Sequence, residues 1–97
     1  MLHEERANLT DNTLDMKRAI DSLREEFEAV DWYNQRADAC TDPELKAILI
    51  HNANEEKEHA SMLLEWMRKH DTNLDHELKD YLFKNNDIVS HENNIKD

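Results

Sequence analysis

The chain has 97 residues, no glycine, one proline and a formal net charge of -11. That length allows a single small domain, and the lack of turn formers argues against tightly hairpinned sheets and for an all-α fold. The acidic balance argues against nucleic acid and anionic membrane surfaces as partners, and no apolar run suffices for a membrane span or a signal-peptide core, so the cytosol or a compartment within it is expected.

Residues 1–12 read as a polar N-terminal arm in which Leu2 and Leu9 could dock on a neighbour. A first long helix is expected from a cap at Asp11 or Thr13 to about Ala39. Ala19, Ile20, Leu23, Phe27, Val30, Tyr33 and Ala37 recur at three- and four-residue steps and form one apolar stripe. Glu26 falls within that stripe, whereas Glu25 and Glu28 fall off it. Thr41-Asp42-Pro43-Glu44 then reads as a helix start, with Thr41 as cap, Pro43 in the first turn and Glu44 closing a capping box.

The second long helix is expected over 42–70. Its stripe is Leu45, Ile48, Leu49, Asn52, Glu56, His59, Leu63, Trp66 and Met67. A short third helix is expected from Leu74 to Phe83, and the polar tail 85–97 is expected to stay unstructured unless a partner orders it. The short connection makes the two long helices an antiparallel hairpin. Two broad stripes cannot be buried by one hairpin, so two hairpins are expected to pair into a four-helix bundle.

Charged Glu and His within an apolar stripe are costly unless something binds them. Glu56 and His59 form a Glu-x-x-His step on one face of one helix, and Glu26 lies on the other at the same sequence distance from Thr41 as Glu56. One such Glu with one Glu-x-x-His is half the ligand set of a carboxylate di-iron site, and a two-fold axis would supply the other half. Mixed carboxylate and imidazole ligation suits iron or manganese, and zinc could also occupy it. The alternative is a buried polar network, His59 bonded to Asn52 or Glu26, that sets dimer specificity.

Three stretches carry a resemblance to a family. They are Glu25-Glu26-Phe27-Glu28-Ala29-Val30-Asp31-Trp32-Tyr33-Asn34-Gln35-Arg36, then Thr41-Asp42-Pro43-Glu44-Leu45, then His51-Asn52 with Glu55-Glu56-Lys57-Glu58-His59-Ala60. Together with Tyr81-Leu82-Phe83 they resemble the encapsulated ferritins over roughly residues 14–84. The resemblance implies a half-ferritin helical domain, 13–84, whose dimers build a di-iron ferroxidase centre and assemble into an open ring, typically a decamer, enclosed as cargo by an encapsulin shell that stores the oxidised iron. It implies Glu26, Glu56 and His59 as catalytic iron ligands. It implies Glu25 and Glu28, beside Trp32, as a secondary or entry site for calcium or another divalent cation, and Tyr33 close to the centre. One departure concerns the tail: shell-bound members usually carry a partly apolar C-terminal docking peptide, and here only Ile88, Val89 and Ile95 are apolar. A truncated chain, a different docking mode and a member that is not cargo all fit that departure.

Other residues carry less. Cys40 is the only cysteine, so no intramolecular disulfide is expected. Trp32 and Trp66 read as packing groups. Tyr33 and Asn52 read as neighbours of the centre rather than ligands. Without an encapsulated-ferritin role, the same residues would make a non-catalytic, metal-stabilised helical assembly.

Overall fold

The computed structural model describes residues 1–96, with side chains described for 1–94; the reading of Ile95 lies outside the described side chains. A 3-10 turn at Arg6–Asn8 leads into α1, Asp11–Ala39; α2 spans Pro43–Lys69, α3 Thr72–Tyr81 and α4 Ile88–Lys96. The described residues contain no strand. α1 packs along α2 and α3 packs on α2, which gives the expected hairpin with a short helix beyond it.

The helix ends differ from expectation in detail. Thr10, ahead of both expected candidates, caps α1, its hydroxyl accepting from the Thr13 amide. Asp42, not Thr41, caps α2: its carboxylate accepts from the Leu45 amide at 2.8 Å. A carboxylate also suits the positive end of the helix dipole better than a hydroxyl does, and Pro43 fits the first turn either way. Asp71 caps α3 through the Leu74 amide, so α3 starts two residues earlier than Leu74. The tail carries a helix where none was expected. Asp87 accepts from the Ser90 amide at 3.0 Å, His91 sits edge-on against Tyr81, and His91 Nε2 reaches the Asp80 carbonyl at 2.6 Å.

The hairpin core is narrow. Its buried residues are Ala19, Ala37, Ala53 and Ala60, two from each long helix, and no large described side chain is fully buried. Small residues let the backbones approach closely, but they shield little apolar area. Phe27, Leu45, Ile48 and Met62 stay about half exposed. α3 is tied to α2 by Arg68, which bonds Glu65 and Asp75 together, while Lys79 reaches Asp75 at 3.0 Å. Arg68 and then Lys79 hold the Asp75 carboxyl below the ordinary aspartate value.

Two outcomes follow from this packing. Ala53→Leu forces extra methylenes into a closed helix contact and should destabilise the hairpin by about 1–3 kcal/mol, read as a lowered midpoint in urea unfolding. Asp75→Asn should lower the melting temperature at neutral pH. A lowered folded pKa stabilises above the ordinary aspartate value of 3.8 and is lost as pH falls through the folded value, so the gap to the parent protein should close in that acid range.

Candidate metal centre

Glu26 reaches the site from the middle of α1, and Glu56 and His59 reach it from the middle of α2. One ligand atom from each of the three lies within 4.8 Å of those of the other two, and among the described residues this is the one such group of His, Cys, Asp and Glu. His59 Nδ1 stands 3.5 Å from Glu26 Oε2 and 3.5 Å from Glu56 Oε2. Glu26 and Glu56 side chains are about one-quarter exposed and His59 somewhat under half. Two neighbours explain the convergence: Glu56 and His59 are one turn apart on α2, and the short α1–α2 link brings Glu26 level with them.

The electrostatics of the group are unfavourable without a cation. Glu26 Oε2 is shielded from solvent and makes no hydrogen bond. The carboxyl of Glu26 is held above the ordinary glutamate value, first by the Glu56 carboxyl beside it and then by desolvation. Burial pulls the His59 imidazole down, but the Glu26 and Glu56 carboxylates outweigh burial and raise it overall. Facing carboxylates with one orphaned oxygen are a setting in which a cation would be favoured. Two hard oxygens and one imidazole nitrogen make a donor set that fits iron, manganese or zinc.

The remaining expected residues lie outside this group within one chain. Tyr33 and Asn52 are half-buried and make no hydrogen bond to the three. Glu25 and Glu28 are exposed on α1, and Trp32 is 49% exposed. Trp66 is half-buried and stacks on His70 with centroids 4.0 Å apart. Arg36 is a residue that sequence reasoning missed. Its guanidinium lies 5.9 Å from the Trp32 ring centroid and 5.5 Å from that of Tyr33, so it bridges both aromatics. Its i+3 and i+4 spacing from Tyr33 and Trp32 was the available signal.

Residues 1–85 match the family model described as EncFtn-like. The chain is 53% identical over 88 residues to the encapsulated ferritin-like protein of Rhodospirillum rubrum, an alignment that covers 91% of this chain and 63% of that protein. It therefore spans less than two-thirds of that relative's length. It is 46% identical over 87 residues to the ferritin-like protein of Thermotoga maritima, covering 90% of this chain and 76% of that one. A crystal structure of a protein from Nitrosomonas europaea superposes with a TM-score of 0.85 at 64% identity, covering 90% of this chain and 96% of that chain. A match over nearly the whole helical region, at this identity and with this fold, means that the chain belongs to the EncFtn-like family.

Proposed function

We propose that two copies of this chain pair about a two-fold axis to form a ferroxidase, with Fe(II) as substrate and dioxygen as oxidant. The observation that carries this is the convergence of Glu26, Glu56 and His59 donor atoms within 4.8 Å, one carboxylate oxygen being orphaned. A two-fold axis would double the set to four carboxylates and two imidazoles, the ligand complement of a carboxylate di-iron centre. Pairing is supported independently by Phe27, Leu45, Ile48 and Met62, whose exposed apolar surface one hairpin leaves uncovered. Full burial of a large apolar side chain stabilises by about 1.5–3 kcal/mol.

In this centre Glu26 would bridge the paired sites, and Glu56 with His59 would hold each iron. Iron bound there gives an electron to dioxygen and becomes Fe(III). The chain's own residues set the conditions for that. An entering cation would compete with protons that Glu26 and His59 hold to higher pH than usual, His59 would offer it a ring nitrogen, and the part-exposed rim leaves room for oxygen to approach.

The wider role we propose is supported by the name of the Rhodospirillum relative, an encapsulated ferritin-like protein. The dimers assemble into a ring, a decamer, that supplies oxidised iron for mineral storage inside an encapsulin nanocompartment of the cytoplasm. Glu25 and Glu28, exposed on α1 beside Trp32, form a secondary cation site where dimers meet, for calcium or another divalent ion.

Two measurements test the centre. Glu56→Ala and His59→Ala should each lower aerobic Fe(II) oxidation by at least about 10-fold, since even outer-shell substitutions cost metal sites 10–100-fold, with helical circular dichroism unchanged. Full oxidation in both variants would sink the ferroxidase. No oxidation by the parent protein, with metal-dependent assembly retained, would leave a metal-stabilised assembly protein instead. The raised Glu26 and His59 values also give a pH direction: a cation must displace protons that both groups hold to higher pH than usual. Zn(II) affinity, measured by calorimetry, should rise as pH climbs through and beyond the ordinary histidine value of 6.5. In Glu26→Gln that dependence should be shallower.

A further inference from the structure

The end of α3 presents an aromatic side chain that the chain itself does not cover. Phe83 is 99% exposed, and its φ of 60° lies in the left-handed region that disfavours any residue with a Cβ. Among the described residues it is the one non-glycine residue with a positive φ. Stopping a helix favours glycine or asparagine at such a position, not phenylalanine. Backbone strain and exposed apolar surface both disfavour Phe83 in the single chain, so helix termination does not account for the ring.

Beside that ring lies a socket. An open cavity of about 600 Å³ runs between α2 and α3, with Leu64, Leu78 and Leu82 as its apolar wall and Phe83 at the rim. We infer that Phe83 inserts into this cavity on a second copy of the chain, while the second copy's Phe83 inserts into the first. Each chain carries both halves of the contact, so the pair is self-complementary about a two-fold axis. Inside the socket the ring would lose its exposure to water, and the burial would offset the strain of its backbone.

Charge points to a second copy as the occupant. The chain has a net charge of -11, so most approaches of one copy to another are repulsive. Around this cavity the charges balance. Arg68 bonds Glu65 and Asp75, and Lys79 reaches Asp75 at 3.0 Å, two bases against two acids. Glu65, Arg68 and Lys79 line the cavity themselves. A neutral rim around an apolar wall lets a like-charged copy approach, and it holds no excess charge to attract a strongly basic or acidic partner. Leu64 follows Glu56 by eight residues and His59 by five, so it lies about 80° and about 140° round α2 from them. The cavity and the proposed centre therefore face different ways, and one chain can make both contacts at once. Two self-complementary contacts on different faces alternate, and a closed ring of them holds an even number of chains. That place in a ring rests on the assembly proposed above; the contact itself needs no iron.

The test places a photoreactive benzophenone analogue of phenylalanine at position 83 of the full chain, irradiates the purified protein and maps the products by mass spectrometry. A covalent pair of chains should form, joined from position 83 to Leu64, Leu78 or Leu82 of the other copy. Phe83→Asn suits the left-handed backbone and removes the ring. It should lower the sedimenting mass by roughly twofold or more, with helical circular dichroism unchanged. The analogue in a Glu56→Ala chain should crosslink as before, so failure of the ferroxidase and failure of this contact are separate results. No crosslinked pair, a pair joined elsewhere, or an unchanged sedimenting mass in Phe83→Asn would overturn the assignment.

Discussion

Close approach of α1 and α2 is the constraint on which the rest of this molecule depends. Alanine at positions 19, 37, 53 and 60 lets the two backbones come together. That brings the tips of Glu26, Glu56 and His59 within reach of one another, a distance larger core residues would prevent. The same choice leaves little apolar surface inside the hairpin. The larger side chains are pushed outward, and the chain is left with a face that only another element can cover. The clustered acids and the exposed apolar face are thus two effects of one packing choice.

The site itself is a frustrated group. Two carboxylates face each other across the helix pair, one oxygen lacks a hydrogen bond, and an imidazole stands equally far from both acids. The Glu56 carboxyl raises the hold of Glu26 on a proton, and both acids raise that of His59, so the group favours positive charge beside it. A network built only for register would pair its donors and acceptors fully, and the oxygen of Glu26 that lacks a hydrogen bond departs from that pattern.

Much of this was legible in the sequence. The three- and four-residue periodicity revealed both long helices, and Glu26 and Glu56 stood out because each interrupts an apolar stripe. The details that were not legible depend on choices between neighbours. Asp42 and Thr41 are both good caps, and only the backbone geometry selects between them. The tail helix was hidden because its composition is polar; its order comes from the Asp87 cap and the contact of His91 with Asp80 and Tyr81, a tertiary interaction that periodicity does not reveal. The Arg68–Asp75 tie likewise spans two helices. The outward placement of Phe27, Leu45 and Ile48 showed that membership of a stripe marks apolar chemistry, not burial within one chain.

The link between α1 and α2 has one further consequence. Only residues 40–42 separate the helices, so the turn acts as a ruler for the site. A residue inserted in α1 between positions 26 and 39 would rotate Glu26 by about 100° away from α2, because an α-helix turns once per 3.6 residues. The same insertion ahead of Glu26 would leave its phase relative to Glu56 and His59 untouched. Tolerance to length change should therefore be lopsided along α1: between Glu26 and the turn an insertion misplaces the acid itself, between Ala19 and Glu26 it misplaces only the Ala19 contact, and ahead of Ala19 it leaves both in phase.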